Sequence, residues 1–82
     1  MKIYMKPVEM IATFKPDKIP TPCRFKLDDS VINVRTVDYV HEEKQNKEKM
    51  LIYRCRSVVE DAVRVYELKF ELNSCKWFLY RM

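Results

Sequence analysis

The sequence predicts an all-β domain, a small antiparallel meander of about five or six strands curled into a barrel or half-barrel. Three observations carry this prediction. Short runs alternate apolar and polar residues with the period of two that a half-buried strand requires. The runs are joined by brief polar or proline-rich segments, and no segment shows helical periodicity. In the final third, two independent turn placements select the same face of one strand as core. With 82 residues the chain makes a single domain, 1–82, and its hydrophobic content of 48% argues against disorder.

The elements follow in order. Residues 8–14, VEMIATF, read as a first strand with Val8, Met10, Ala12 and Phe14 on one face. Residues 15–22, KPDKIPTP, hold three of the four prolines and form a stiff loop. Cys23, Phe25 and Leu27 alternate inward along a second strand, and Asp28-Asp29-Ser30 is a turn. Residues 31–41 form a third strand whose phase slips near Thr36-Val37, as a β-bulge would produce. The segment 42–49, EEKQNKEK, is expected to be a solvated charged loop with room for one short helical turn.

The last third supports a self-consistent meander. A two-residue turn at Glu60-Asp61 sets Cys55 opposite Tyr66, Tyr53 opposite Leu68 and Leu51 opposite Phe70. On the other face Arg54 meets Glu67 and Ile52 meets Lys69. A second turn at Asn73-Ser74 sets Phe70 opposite Trp77 and Leu68 opposite Leu79. Behind them Glu71 meets Lys76, Lys69 meets Phe78 and Glu67 meets Tyr80. Both turns make Leu68 and Phe70 core, and a slip of one residue would expose them.

Several function classes drop out. Glycine is absent, which removes the P-loop, the dinucleotide fingerprint and the nucleophile elbow. Cys23, Cys55, Cys75 and His41 supply the ligand count of a zinc site, but they lack a C-x-x-C pair and fall on separate predicted strands. Core packing is the better reading of Cys23 and Cys55, and His41 reads as a surface residue beside a charged loop. Neighbouring carboxylates such as Glu60-Asp61 point apart and make turns rather than acid–base pairs. No catalytic residue, cofactor or metal site is therefore expected, and the chain is read as not an enzyme. The opening MKIYMKPVEM lacks an apolar stretch of signal-peptide length, and no run reaches the roughly 18 apolar residues of a membrane span. Reduced thiols and a cytoplasmic location are expected.

The net charge of +4 is spread along the chain, with no basic tail. Such a surplus permits polyanion binding without requiring it. The candidate interaction face is the outer face of the C-terminal meander. It comprises Arg54, Arg56, Lys69, Lys76, Phe78, Tyr80 and Met82. Cations beside exposed aromatics are what a single-stranded nucleic-acid platform uses. Glu67 and Glu71 lie among them and would repel phosphate. An apolar group of this size also marks a protein contact. The expected partner is accordingly another protein or a second copy of the chain, with nucleic acid as the alternative and no membrane.

One resemblance adds to this reading. Pro7-Val8-Glu9, Pro22-Cys23-Arg24-Phe25 and Val31-Ile32-Asn33-Val34 with Val37 carry its first half. Tyr53-Arg54-Cys55, Val65-Tyr66-Glu67-Leu68 and Lys76-Trp77-Phe78-Leu79 carry the rest. Over most of its length the chain resembles a family of short bacterial proteins of unknown function. Relatives look to be encoded beside translesion-type DNA polymerases, which implies a loose tie to DNA repair. The chain departs from that family's pattern in lacking turn glycines and a Trp-rich middle strand.

Overall fold

A computed structural model describes residues Met1–Met82. Seven strands form one antiparallel sheet: β1 (Ile3–Thr13), β2 (Thr21–Leu27), β3 (Ser30–Asn33), β4 (Thr36–Gln45), β5 (Glu48–Val59), β6 (Ala62–Glu71) and β7 (Lys76–Arg81). Their spatial order is β3-β2-β1-β7-β6-β5-β4. The all-β class and the curled half-barrel match the prediction, with slightly more strands than expected.

Alternation builds the core. Tyr53, Cys55, Tyr66, Leu68, Phe70, Trp77 and Leu79 turn inward from β5, β6 and β7, and Phe25 and Ile32 meet them from β2 and β3. Val8, Met10 and Ala12 of β1 pack against this cluster. The Trp77 ring lies 4.6 Å from Phe70 and 5.2 Å from Tyr53 between centroids, and Phe25 lies 5.6 Å from Tyr66. Hydrogen bonds outside the strand ladders help to close the curl. The Ser57 hydroxyl donates to the Asn33 carbonyl at 2.6 Å and lies 2.5 Å from the Tyr66 hydroxyl. The Arg35 N–H donates to the Arg56 carbonyl at 3.0 Å, and the Tyr53 hydroxyl donates to the Pro20 carbonyl.

The meander pairs largely as read from its turns. All five stated β5–β6 pairs occur, from Leu51 opposite Phe70 to Cys55 opposite Tyr66. Four of the five stated β6–β7 pairs occur. The fifth does not, because a bulge between Glu67 and Leu68 sets Arg81, not Tyr80, opposite Glu67. A bulge places two residues against one and changes the phase of the strand beyond it.

Four expectations need correction. The third strand, 31–41, is two strands, because the chain leaves β2 after Asn33 and starts pairing with β5 at Thr36. The expected phase slip is present, with its bulge at Val37/Tyr39. Residues 42–49 are not a loop: β4 continues to Gln45 and β5 starts at Glu48, with a turn at Asn46-Lys47 and no helical turn. Charged side chains satisfy a strand that lies along the sheet edge. Cys23 is half-buried rather than core, because the β1–β2 register shifts at Ile11/Ala12 and Pro22 takes the place opposite Ala12. Phe14 falls beyond β1 and is exposed, although its ring meets the edge of Phe70 at 6.2 Å.

The missing glycines leave a trace in the turns. Asn46, Lys47, Glu60 and Asp61 all have positive φ, from 51° to 67°. Two-residue hairpin loops need this conformation because its twist matches that of the strands. For residues with a Cβ it costs about 1–2 kcal/mol each, least for Asn and Asp. Lys47→Gly is therefore expected to stabilise the protein, by roughly 0.5–1 kcal/mol after the added freedom of the unfolded chain is deducted. Urea unfolding measures it; an unchanged or lower midpoint contradicts the turn geometry.

Candidate interaction face

The alternation that turns Tyr53, Cys55, Tyr66 and Leu68 inward turns Ile52, Arg54, Arg56 and Val58 of β5 and Val63, Val65, Glu67 and Lys69 of β6 outward. Rows of directly opposed residues then cross the sheet. One runs His41, Ile52, Lys69, Phe78, Pro7; the next holds Tyr39, Arg54, Glu67 and Arg81.

This outer face is closed at its centre. Ile52 is 0% exposed and Met50 is also buried, yet neither belongs to the inner core. Glu67 is 4% exposed and Lys69 is 6% exposed. Arg81 donates from Nε to Glu67 Oε1 at 2.8 Å, and Arg54 lies 3.9 Å from Oε2 on the other side. Two cations lie over the Tyr80 ring, with Lys69 Nζ 4.3 Å and Arg81 4.7 Å from its centroid. Long side chains thus lay their apolar stems over the middle of the sheet and keep their charged heads outward.

The seven candidates are not one patch. Arg54, Lys69, Phe78 and Tyr80 share the closed centre, Phe78 opposite Pro7 of β1. Arg56 lies nearer the β5–β6 hairpin, bound to Asp38 at 2.9 and 3.1 Å. Lys76 is exposed at the other end of β7, opposite Glu71. Met82 requires correction: it packs against the inner core, because Tyr80 and Arg81 both face outward across the β7 bulge and return Met82 to the inside.

What remains open on this side lies toward β4 and the hairpin tip. β4 is the last strand of the sheet order, 10 residues long, with nothing paired to its outer side. Tyr39 stands exposed on it, and Val58, Val63 and Val65 stand exposed at the β5–β6 hairpin. Sequence reasoning missed these valines because it assigned no partner to the tip of the hairpin. The signal was present in the run Val58-Val59 and the alternation of Val63 and Val65.

The cysteines and His41 do not assemble. No group of three metal-capable side chains comes together, and His41 Nε2 instead lies 3.1 Å from Glu43 Oε1. Burial pushes the Cys55 thiol up to about 12, reinforced by the nearby Asp38 and Glu67 carboxylates. A thiol so protonated is inert as a nucleophile.

No protein-family model, curated protein or solved structure matches the chain.

Proposed function

We propose that the chain is a non-enzymatic protein-contact module that works through the outer side of the meander and accepts a strand along β4. One observation carries this reading: the sheet ends in a long strand with a free edge, with Tyr39 exposed on that strand and Val58, Val63 and Val65 exposed at the nearby β5–β6 hairpin. Unpaired N–H and C=O groups along such an edge are a template for strand addition, from a second copy or from another protein. The three thiols are unpaired, in keeping with the reducing cytoplasm as the proposed setting.

Sedimentation velocity across a wide concentration range tests the self-associating form. Concentration-dependent dimers that Tyr39→Lys weakens are the expected result, since a lysine on an edge strand opposes pairing. Equal behaviour of the two proteins would remove self-association through β4.

Single-stranded nucleic-acid binding is the alternative, and the Tyr80 ring close to Lys69 and Arg81 favours it. It ranks second because Arg54 and Arg81 are already committed to Glu67, and Arg56 to Asp38. Fluorescence anisotropy with labelled single-stranded DNA at low salt separates the two. Saturable binding that falls with salt and is lost in Arg54→Ala would displace the protein-contact reading.

A further inference from the structure

A cleft of about 260 Å³ opens where β4 begins, lined by Arg35, Thr36, Arg56, Ser57, Val58 and Val63. Its place follows from the topology. β5 runs on to Val59, but β4 pairs with it only from Thr36 opposite Arg56. The lane beside Val58 is therefore vacant where the chain turns from β3 into β4.

The chemistry of the lining is one-sided. Arg56 is held by Asp38, which fixes its guanidinium and leaves part of its donor fork unused. Arg35 is exposed and forms no salt bridge. Two arginines thus line a cleft with one carboxylate beside it, a surplus of one positive charge. Planar guanidinium groups match carboxylate geometry and bind it through charge-assisted hydrogen bonds. The exposed, directly paired Val58 and Val63 supply the apolar part of the lining. A strongly hydrated anion has nothing to gain from that part; an anion carried on a compact apolar group does.

The position beside β4 narrows the ligand further. An extended peptide added antiparallel to β4 runs toward Thr36, so its C-terminal end arrives at the cleft. Antiparallel addition continues the pattern of every pair in this sheet. We infer that the cleft binds the terminal carboxylate of an extended peptide whose last residue is apolar, with Arg35 and Arg56 holding the carboxylate and Val58 and Val63 the side chain. This inference rests on the strand-accepting reading of β4 and names the chemistry of its partner.

Residue-resolved amide NMR tests it with two probes, the tetrapeptide acetyl-Thr-Val-Thr-Val as its free acid and as its C-terminal amide. The free acid is expected to shift the amides of Arg35, Thr36, Val58 and Val63 together with those along β4. The amide, or the free acid added to Arg35→Gln, should bind roughly tenfold more weakly or worse, the effect of losing a charge-assisted hydrogen bond. Arg35 is exposed, so this substitution leaves the fold in place. Equal binding of acid and amide along β4 would overturn the carboxylate site and leave the strand-accepting edge standing. No shift at either place would overturn both. Shifts at the cleft produced equally by inorganic phosphate would make it a general anion site and overturn the peptide assignment.

Discussion

Phe70→Ala is expected to destabilise the protein by about 3–5 kcal/mol, the range for removing a buried aromatic side chain. Phe70 is buried at the centre of the inner face, where its ring meets Trp77 at 4.6 Å and Phe14 at 6.2 Å. Alanine removes both contacts and leaves a cavity that strands on either side, held by their ladders, cannot collapse to fill. A domain of this length has a total stability on the order of 4–12 kcal/mol, so the substitution removes from about a quarter to the whole of it. Val63→Ala is the matched control, because Val63 is exposed on the outer face; it should change stability by less than about 0.5 kcal/mol. Urea unfolding of both proteins decides the matter. A loss below about 1 kcal/mol for Phe70→Ala would contradict the placement of the core.

Alkali is expected to unfold the protein well before it would act on the unfolded chain's arginines. Cys55 and Tyr66 are raised to about 12 from ordinary values of 9.0 and 10.0, and Tyr53 is raised beyond that range. Burial is the main cause in each case; for Tyr66 the hydrogen bond with Ser57 offsets part of it. All three groups are neutral when protonated. Once pH passes the unfolded values, the unfolded state gives up protons that the folded state retains, so stability falls as pH rises. The contribution is intact below about pH 9 and is lost progressively toward the folded values. Each group costs about 1.4 kcal/mol per pH unit within its window, which amounts to several kcal/mol by about pH 11. Thermal melts between pH 7 and 11 should therefore show a steep fall in Tm. Cys55→Val should make the fall shallower by taking the earliest-titrating group out of the core. A Tm that stays level to pH 11 would refute the burial of these groups.

Much of the fold was legible because side-chain period and turn position jointly determine register. In the meander a slip of one residue would have turned Leu68 and Phe70 to solvent, and a single pairing satisfied both hairpins. The β4–β5 hairpin was not legible for the opposite reason. Residues 42–49 carry charge at nearly every position, so no alternation marks them as strand. They pair because Leu51 and Tyr53 anchor β5 in the core and backbone hydrogen bonding extends the ladder outward from that anchor. The candidate face was legible as a set of outward residues. Its partition was not, since Glu67 gathers Arg54 and Arg81 only after a bulge has shifted β7 by one place.

The sequence by itself determined the class of the protein, the inner face of β5 to β7 and the absence of any glycine-dependent phosphate loop. These follow from composition and from a two-residue period, which are local properties. Only the tertiary structure decided that Met82 turns inward, that Ile52 and Lys69 are buried on the outer side, and that Arg35 and Arg56 share a cleft at the start of a free edge. The reason is that bulges, strand order and the return of β3 against β5 arise from pairing between distant segments. Each such pairing is chosen by the whole sheet's burial and hydrogen bonding, which no short stretch of the chain contains.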